Sequence, residues 1–128
     1  MKSYTDIEQS RKLTDILPLE SADMEYLHLK ETHVPISSVP FIKERSEVEN
    51  SAYDATYEVI PCWSLAALLK YLNGICPQVY TPILFPSEGK WILQFTEYGH
   101  GNMCEVSYDN PIDACYELII KLHELNLL

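Results

Sequence analysis

Apolar and polar positions along the chain change period several times, and each change marks an element. "YTDIEQSRKLTDIL" opens with a helix-start signal: Thr5 is placed to cap, and Glu8, three residues on, to complete a capping box. Ile7, Leu13, Ile16 and Leu17 give a partial apolar stripe, and Pro18 stops the helix. "SADMEYLHLK" reads as a strand, with Met24, Tyr26 and His28 on one face and Leu27 and Leu29 on the other.

Residues 31–60 break the regularity. Pro35 and Pro40 interrupt any long element, "KERSEVENSAYDA" is polar, and only "ATYEVI" suggests a short strand. Some thirty residues without firm structure is long for a compact domain, so this stretch is expected to be an irregular excursion, a candidate mobile segment.

Regular patterning resumes at "PCWSLAALLKYLNG". Ser64 suits an N-cap, Trp63 and Leu68 occupy hydrophobic-staple positions, and Leu65, Leu68, Leu69 and Leu72 share one face. Asn73-Gly74 is expected to supply a left-handed stop. Three strand-like runs follow. "QVYTPILF" carries Pro82, which predicts an edge strand or bulge. After the turn "PSEG", "KWILQFTEY" alternates Trp91, Leu93 and Phe95 against Ile92, Gln94 and Thr96. After "GHGN", "MCEVSY" puts Cys104, Val106 and Tyr108 on one face. The last helix has Asn110 as cap, Pro111 at N1 and Asp113 at N3. Its expected stripe is Ile112, Cys115, Tyr116, Ile119, Leu122 and Leu125, with Glu117 and Lys121 spaced as a surface ion pair. The final "LNLL" is expected to finish the core rather than meet a partner.

The order predicts an α+β fold: a single two-layer domain over residues 1–128, with an antiparallel sheet of about four strands packed on about three helices. Three of the strands form a meander near the C-terminal half. With 128 residues and 47% apolar content, a core needs neither disulfides nor metal. The four cysteines, Cys62, Cys76, Cys104 and Cys115, have neither metal-type nor dense disulfide spacing, and read as reduced thiols of a cytoplasmic protein. Net charge is −10, spread along the chain, with no basic stripe. Direct nucleic-acid binding is therefore disfavoured. No signal-peptide h-region and no membrane-spanning run is visible.

Candidate chemistry is thin. His100 sits in "EYGHGNMCE" four residues before Cys104, but a hairpin places the imidazole at its tip and the thiol inward. His28 and His33 are five apart, which puts them on opposite faces of a strand; a metal site there needs a bend after Lys30. Asp23 and Glu25 share a strand face that suits a solvated edge. No phosphate loop or nucleophile motif occurs. No catalytic, cofactor-binding or metal residue is picked out, and a non-enzymatic role is favoured. Tyr53 and Tyr57 in the acidic irregular region are the candidate partner-binding residues, because tyrosine is enriched at interfaces.

"IPCWSLAALLKYL" and "YDNPIDACYELIIKLHELNLL", with "EQSRKL" and "ESADMEY", resemble a group of small proteins of gut anaerobic bacteria. These are often associated with mobile or phage-derived elements and have no assigned function. The resemblance implies a stand-alone bacterial protein with an accessory role and transfers no site residue. The leading expectation is a module that binds an unidentified protein partner, in an oligomeric state the sequence leaves open. The alternatives are a small-molecule binder or enzyme using a sheet–helix pocket lined by Trp91, His28 or Cys104, and an acidic mimic of nucleic acid.

Overall fold

The computed structural model of the chain describes residues 2–43, 56–75, 80–97 and 101–128. Contacts divide the chain into two compact units. One takes in Asp6–Trp63; the other takes in Ser64–Leu128 together with the chain start through Thr5. The architecture is α+β, as expected, but the strands form two three-stranded antiparallel sheets rather than one sheet of about four.

In the Asp6–Trp63 unit, α1 (Ile7–Thr14) and a 3-10 turn (Leu19–Ser21) precede β1 (Met24–Leu29), β2 (Phe41–Ile42) and β3 (Tyr57–Cys62), in the sheet order β2-β1-β3. The extra strands explain the second sheet. β2 is too short to show an alternation. β3 continues through Pro61, a residue the sequence reading gave to the approach of the next helix. β3 lies at a sheet edge, where the missing proline N–H is tolerated. Parts of the 31–60 excursion are thus ordinary strand; residues 44–55 lie outside the described residues.

β1 and β3 pair over six residues, from Met24↔Cys62 to Leu29↔Tyr57. Tyr26, His28, Ile60 and Cys62 are buried on the face these strands share. α1 packs against β3 and buries Leu13, with Leu17 just beyond its end. Its cap is Asp6, one residue later than expected: Gln9 N–H donates to Asp6 Oδ1 at 2.8 Å, and the Gln9 side chain accepts from Asp6 N–H at 3.1 Å. The start is displaced because the preceding residues are extended. Tyr4 forms a β-bridge with Ser64, and Ser3 O accepts from Leu65 N–H at 3.2 Å.

The other unit holds α2 (Leu65–Asn73), β4 (Tyr80–Ser87), β5 (Lys90–Glu97), β6 (Gly101–Tyr108) and α3 (Pro111–Glu124). The meander runs in the order β4-β5-β6, so Pro82 does lie on an edge strand. Leu93, Phe95, Cys104 and Val106 are buried on the expected face, which α3 covers through β5 and β6. The register slips by one between Phe95 and Thr96: Phe95 faces Cys104, whereas Thr96 faces Asn102. Ser64 caps α2 as expected. Gly74 is not left-handed, however; at φ −83° its N–H bonds back to Lys70 O and Tyr71 O.

α3 starts as the sequence predicts. The Asn110 side chain accepts from Asp113 N–H at 2.9 Å, and the Lys2 ammonium lies 2.9 Å from the Asp113 carboxylate. The buried stripe is wider than expected because it includes Ala114 and Leu118. The helix ends in a Schellman motif, with Asn126 left-handed at φ 58°, Leu127 N–H bonded to Leu122 O and Asn126 N–H to His123 O. Leu125 is consequently turned out and exposed, contrary to the expectation that the tail completes the core.

The β4–β5 connection is a two-residue turn, Glu88-Gly89, with both φ positive (51° and 79°), as a type I′ hairpin requires. A Cβ on Gly89 would meet nothing within 4 Å, so the requirement there is purely conformational. Gly89→Ala is expected to cost about 1 kcal/mol or more, and Glu88→Asn to add stability of up to about 1 kcal/mol. Urea denaturation measures both; equal stability of all three proteins contradicts the turn assignment.

Candidate interaction surface

The segment after β1 is held by its backbone along the strand it has just left. The chain turns at residues 30–32, and His33 adopts φ 58° with its N–H bonded to Leu29 O at 2.7 Å. Leu29 N–H then donates to Val34 O, Pro35 bridges to His28, and Ile36 N–H donates to Leu27 O. Farther on, Phe41 and Ile42 pair with Glu25 and Met24, and Lys43 N–H reaches Asp23 O at 3.0 Å. Residues 34–36 and 41–43 therefore run antiparallel beside β1 and form one edge of the sheet, while residues 37–40 turn between them, with Val39 N–H bonded to Ser37 Oγ at 3.2 Å.

That edge is apolar and wet. Ile42 is 77% exposed, Val39 52%, Val34 50%, Ile36 45% and Phe41 41%. Single exposed apolar residues are ordinary, but five among the nine residues Val34–Ile42 make a stretch of exposed apolar surface. Pro35 and Pro40 divide it, so the edge cannot present one long ladder of free N–H groups. Among the described residues, no strand pairs with the outer side of β2.

The sequence reading missed these five residues. A signal existed in "HVPISSVPFIK", where apolar, mostly β-branched residues recur between prolines, but it has no period and so predicts no element. Of the two tyrosines it favoured, Tyr57 is half-buried at the head of β3, its backbone paired with Leu29. Tyr53 lies outside the described residues.

The polar candidates resolve differently. The bend after Lys30 does occur; His28, paired with Glu58 across β1 and β3, and His33 both lie near enough to Glu58 to favour its ionised form. No group of three metal-ligating side chains forms among the described residues. His28 is 7% exposed, and its Nε2 has no hydrogen-bond partner among the described residues. Cys62, Cys104 and Cys115 are buried and form no disulfide among the described residues. Burial raises the Cys104 thiol, with Lys121 opposing, and pushes Cys115 up to about 12, which suits packing groups and not nucleophiles. His100, Gly99 and Cys76 lie outside the described residues. Trp91 and Cys104 belong to the meander and His28 to the other sheet. No helix among the described residues is long and apolar enough to cross a membrane.

Arg11 on α1 donates to Glu58 Oε1 on β3 at 2.7 Å. That hydrogen bond, opposed by desolvation and aided by the charges of Arg11, His28 and His33, holds the Glu58 carboxyl below its ordinary value of 4.5. A carboxylate whose folded value is depressed stabilises the fold above its unfolded value and loses that contribution as pH falls through the folded one. Glu58→Gln is therefore expected to lower stability at neutral pH by under about 1 kcal/mol, as befits a half-exposed pair. The deficit should vanish in acid, below the depressed value. Thermal melts of both proteins from neutral to acid pH measure this; a deficit that persists unchanged in acid contradicts the pairing.

Comparison with protein-family models, curated proteins and solved structures finds no match to this chain.

Proposed function

We propose that the protein is a non-enzymatic interaction module of the bacterial cytoplasm, which takes up a partner protein along the edge formed by Val34–Ile42. The observation that carries this reading is the run of five exposed apolar side chains on a backbone anchored to β1. Such an edge suits strand addition: an extended partner segment bonds to the free main-chain groups and seats alternate side chains on the apolar ones. Phe41 and Ile42 are the natural anchors, since they combine the open side of β2 with aromatic and branched apolar surface. The short reach of β2 and the flanking prolines limit the ladder, so affinity would rest on side-chain contacts as much as on backbone bonds. An accessory role is in keeping with the sequence resemblance to proteins of mobile or phage-derived elements. Buried, unactivated thiols and the lack of a catalytic motif also fit a binding role.

Deleting the segment would remove the β1 edge along with the surface, so substitution is the cleaner test. Phe41→Glu and Ile42→Glu alter exposed side chains and are expected to change stability by no more than about 0.5 kcal/mol. Partners captured from host lysate by the tagged wild-type protein should be lost, or reduced at least about tenfold, with the double variant. Undiminished capture by a folded double variant contradicts the assignment.

A further inference from the structure

We infer that a second site, independent of the β2 edge, lies in the Ser64–Leu128 unit and accepts an arginine side chain from a partner polypeptide. It is a groove of about 220 Å³ between β6 and the flank of α3, lined by Val106, Tyr108, Glu117, Ile120, Lys121 and Glu124. The sequence explains how it arises. Val106 and Tyr108 alternate onto the face of β6 that α3 covers, but β6 is the last strand of its sheet. The helix therefore meets the strand with, among the described residues, no further strand beside it. Glu117, Ile120 and Glu124 follow one another at spacings of three and four, so they line one side of α3 facing this gap.

The chemistry of the lining selects the occupant. Val106 is buried and Ile120 half-buried, giving an apolar floor. Tyr108 is 37% exposed and offers a ring at the rim. Glu117 and Glu124 stand two helical turns apart, and among the described residues neither takes part in an ion pair. The Glu117–Lys121 pair expected from sequence does not form; the Lys121 charge instead acts on Cys104, on β6. Two carboxylates against one ammonium leave the lining net negative, on a chain of charge −10. A long apolar stem ending in a planar cation matches an apolar floor, an aromatic rim and two free carboxylates. The volume is below the roughly 300 Å³ at which small-molecule pockets begin, which favours one side chain over a whole metabolite. The open edge of β6 borders the groove, so a partner backbone can lie beside the strand while its arginine enters.

The test uses the full chain, labelled with nitrogen-15, and three capped tripeptides that carry arginine, leucine or glutamate between alanines. The arginine peptide is expected to shift the amide signals of Val106, Tyr108, Ile120 and Lys121 in a saturable, salt-sensitive way. Glu117→Gln with Glu124→Gln, both at solvent-facing positions, should weaken that binding by about fivefold or more and leave the melting temperature unchanged. No saturable shift at millimolar arginine peptide overturns the proposal. So does equal binding of the leucine peptide, or a double variant that binds as the wild type does. Because these readouts involve only groove residues, they stand or fall apart from capture at Phe41 and Ile42.

Discussion

An open sheet of three strands has two outer edges, and among the described residues each unit of this protein is built on three strands. A strand edge carries main-chain N–H and C=O groups that must be hydrated, covered or paired with another chain. In the Asp6–Trp63 unit the chain folds residues 34–36 and 41–43 back along β1, which moves the open edge outward to a segment rich in valine and isoleucine. In the Ser64–Leu128 unit the β4 edge carries Pro82 and Pro86, while β6 ends the sheet beneath α3. The two candidate surfaces are thus consequences of small sheet size, each shaped by what the chain places beside an edge.

The same economy of strands accounts for the quiet interior. With one face of each sheet to bury, alternate residues go inward whatever their chemistry. Cys62, Cys104 and Cys115 are inside because their register or helix face puts them there, and burial makes Cys104 and Cys115 poor thiolates. His28 is inside because it is two residues from Tyr26 on the same strand, and its Nε2 is left without a partner among the described residues. A buried polar atom of this kind costs stability and is often a sign of function. Here the nearby polar groups, Arg11 and Glu58, already engage each other.

Periodic elements were legible from sequence and aperiodic ones were not. The Asn110-Pro111-Ile112-Asp113 start of α3, the Ser64 cap and the inward set Leu93, Phe95, Cys104 and Val106 all follow from local rules. Apart from details at helix ends such as Gly74 and Leu125, what failed depended on long-range pairing. Asp6 displaces Thr5 as cap because Tyr4 pairs with Ser64, sixty residues away in sequence. β2 exists because β1 offers an edge, not because Phe41-Ile42 has strand periodicity. The candidate surface falls in this second class. Its residues are conspicuous only once their backbone is seen to be held and their side chains seen to face water. Tyr53 and Tyr57 drew attention by residue type alone, whereas exposure singles out Val34, Ile36, Val39, Phe41 and Ile42.

We propose that another chain binds along the outer side of the Val34–Ile42 edge. Amide hydrogen exchange, compared between the free protein and the protein bound to its captured partner, tests it most directly. The account predicts new protection in the peptide spanning Ile36–Ile42, on the side of β2 not already bonded to β1. Unchanged exchange across that peptide, with protection appearing elsewhere in the chain, would contradict it.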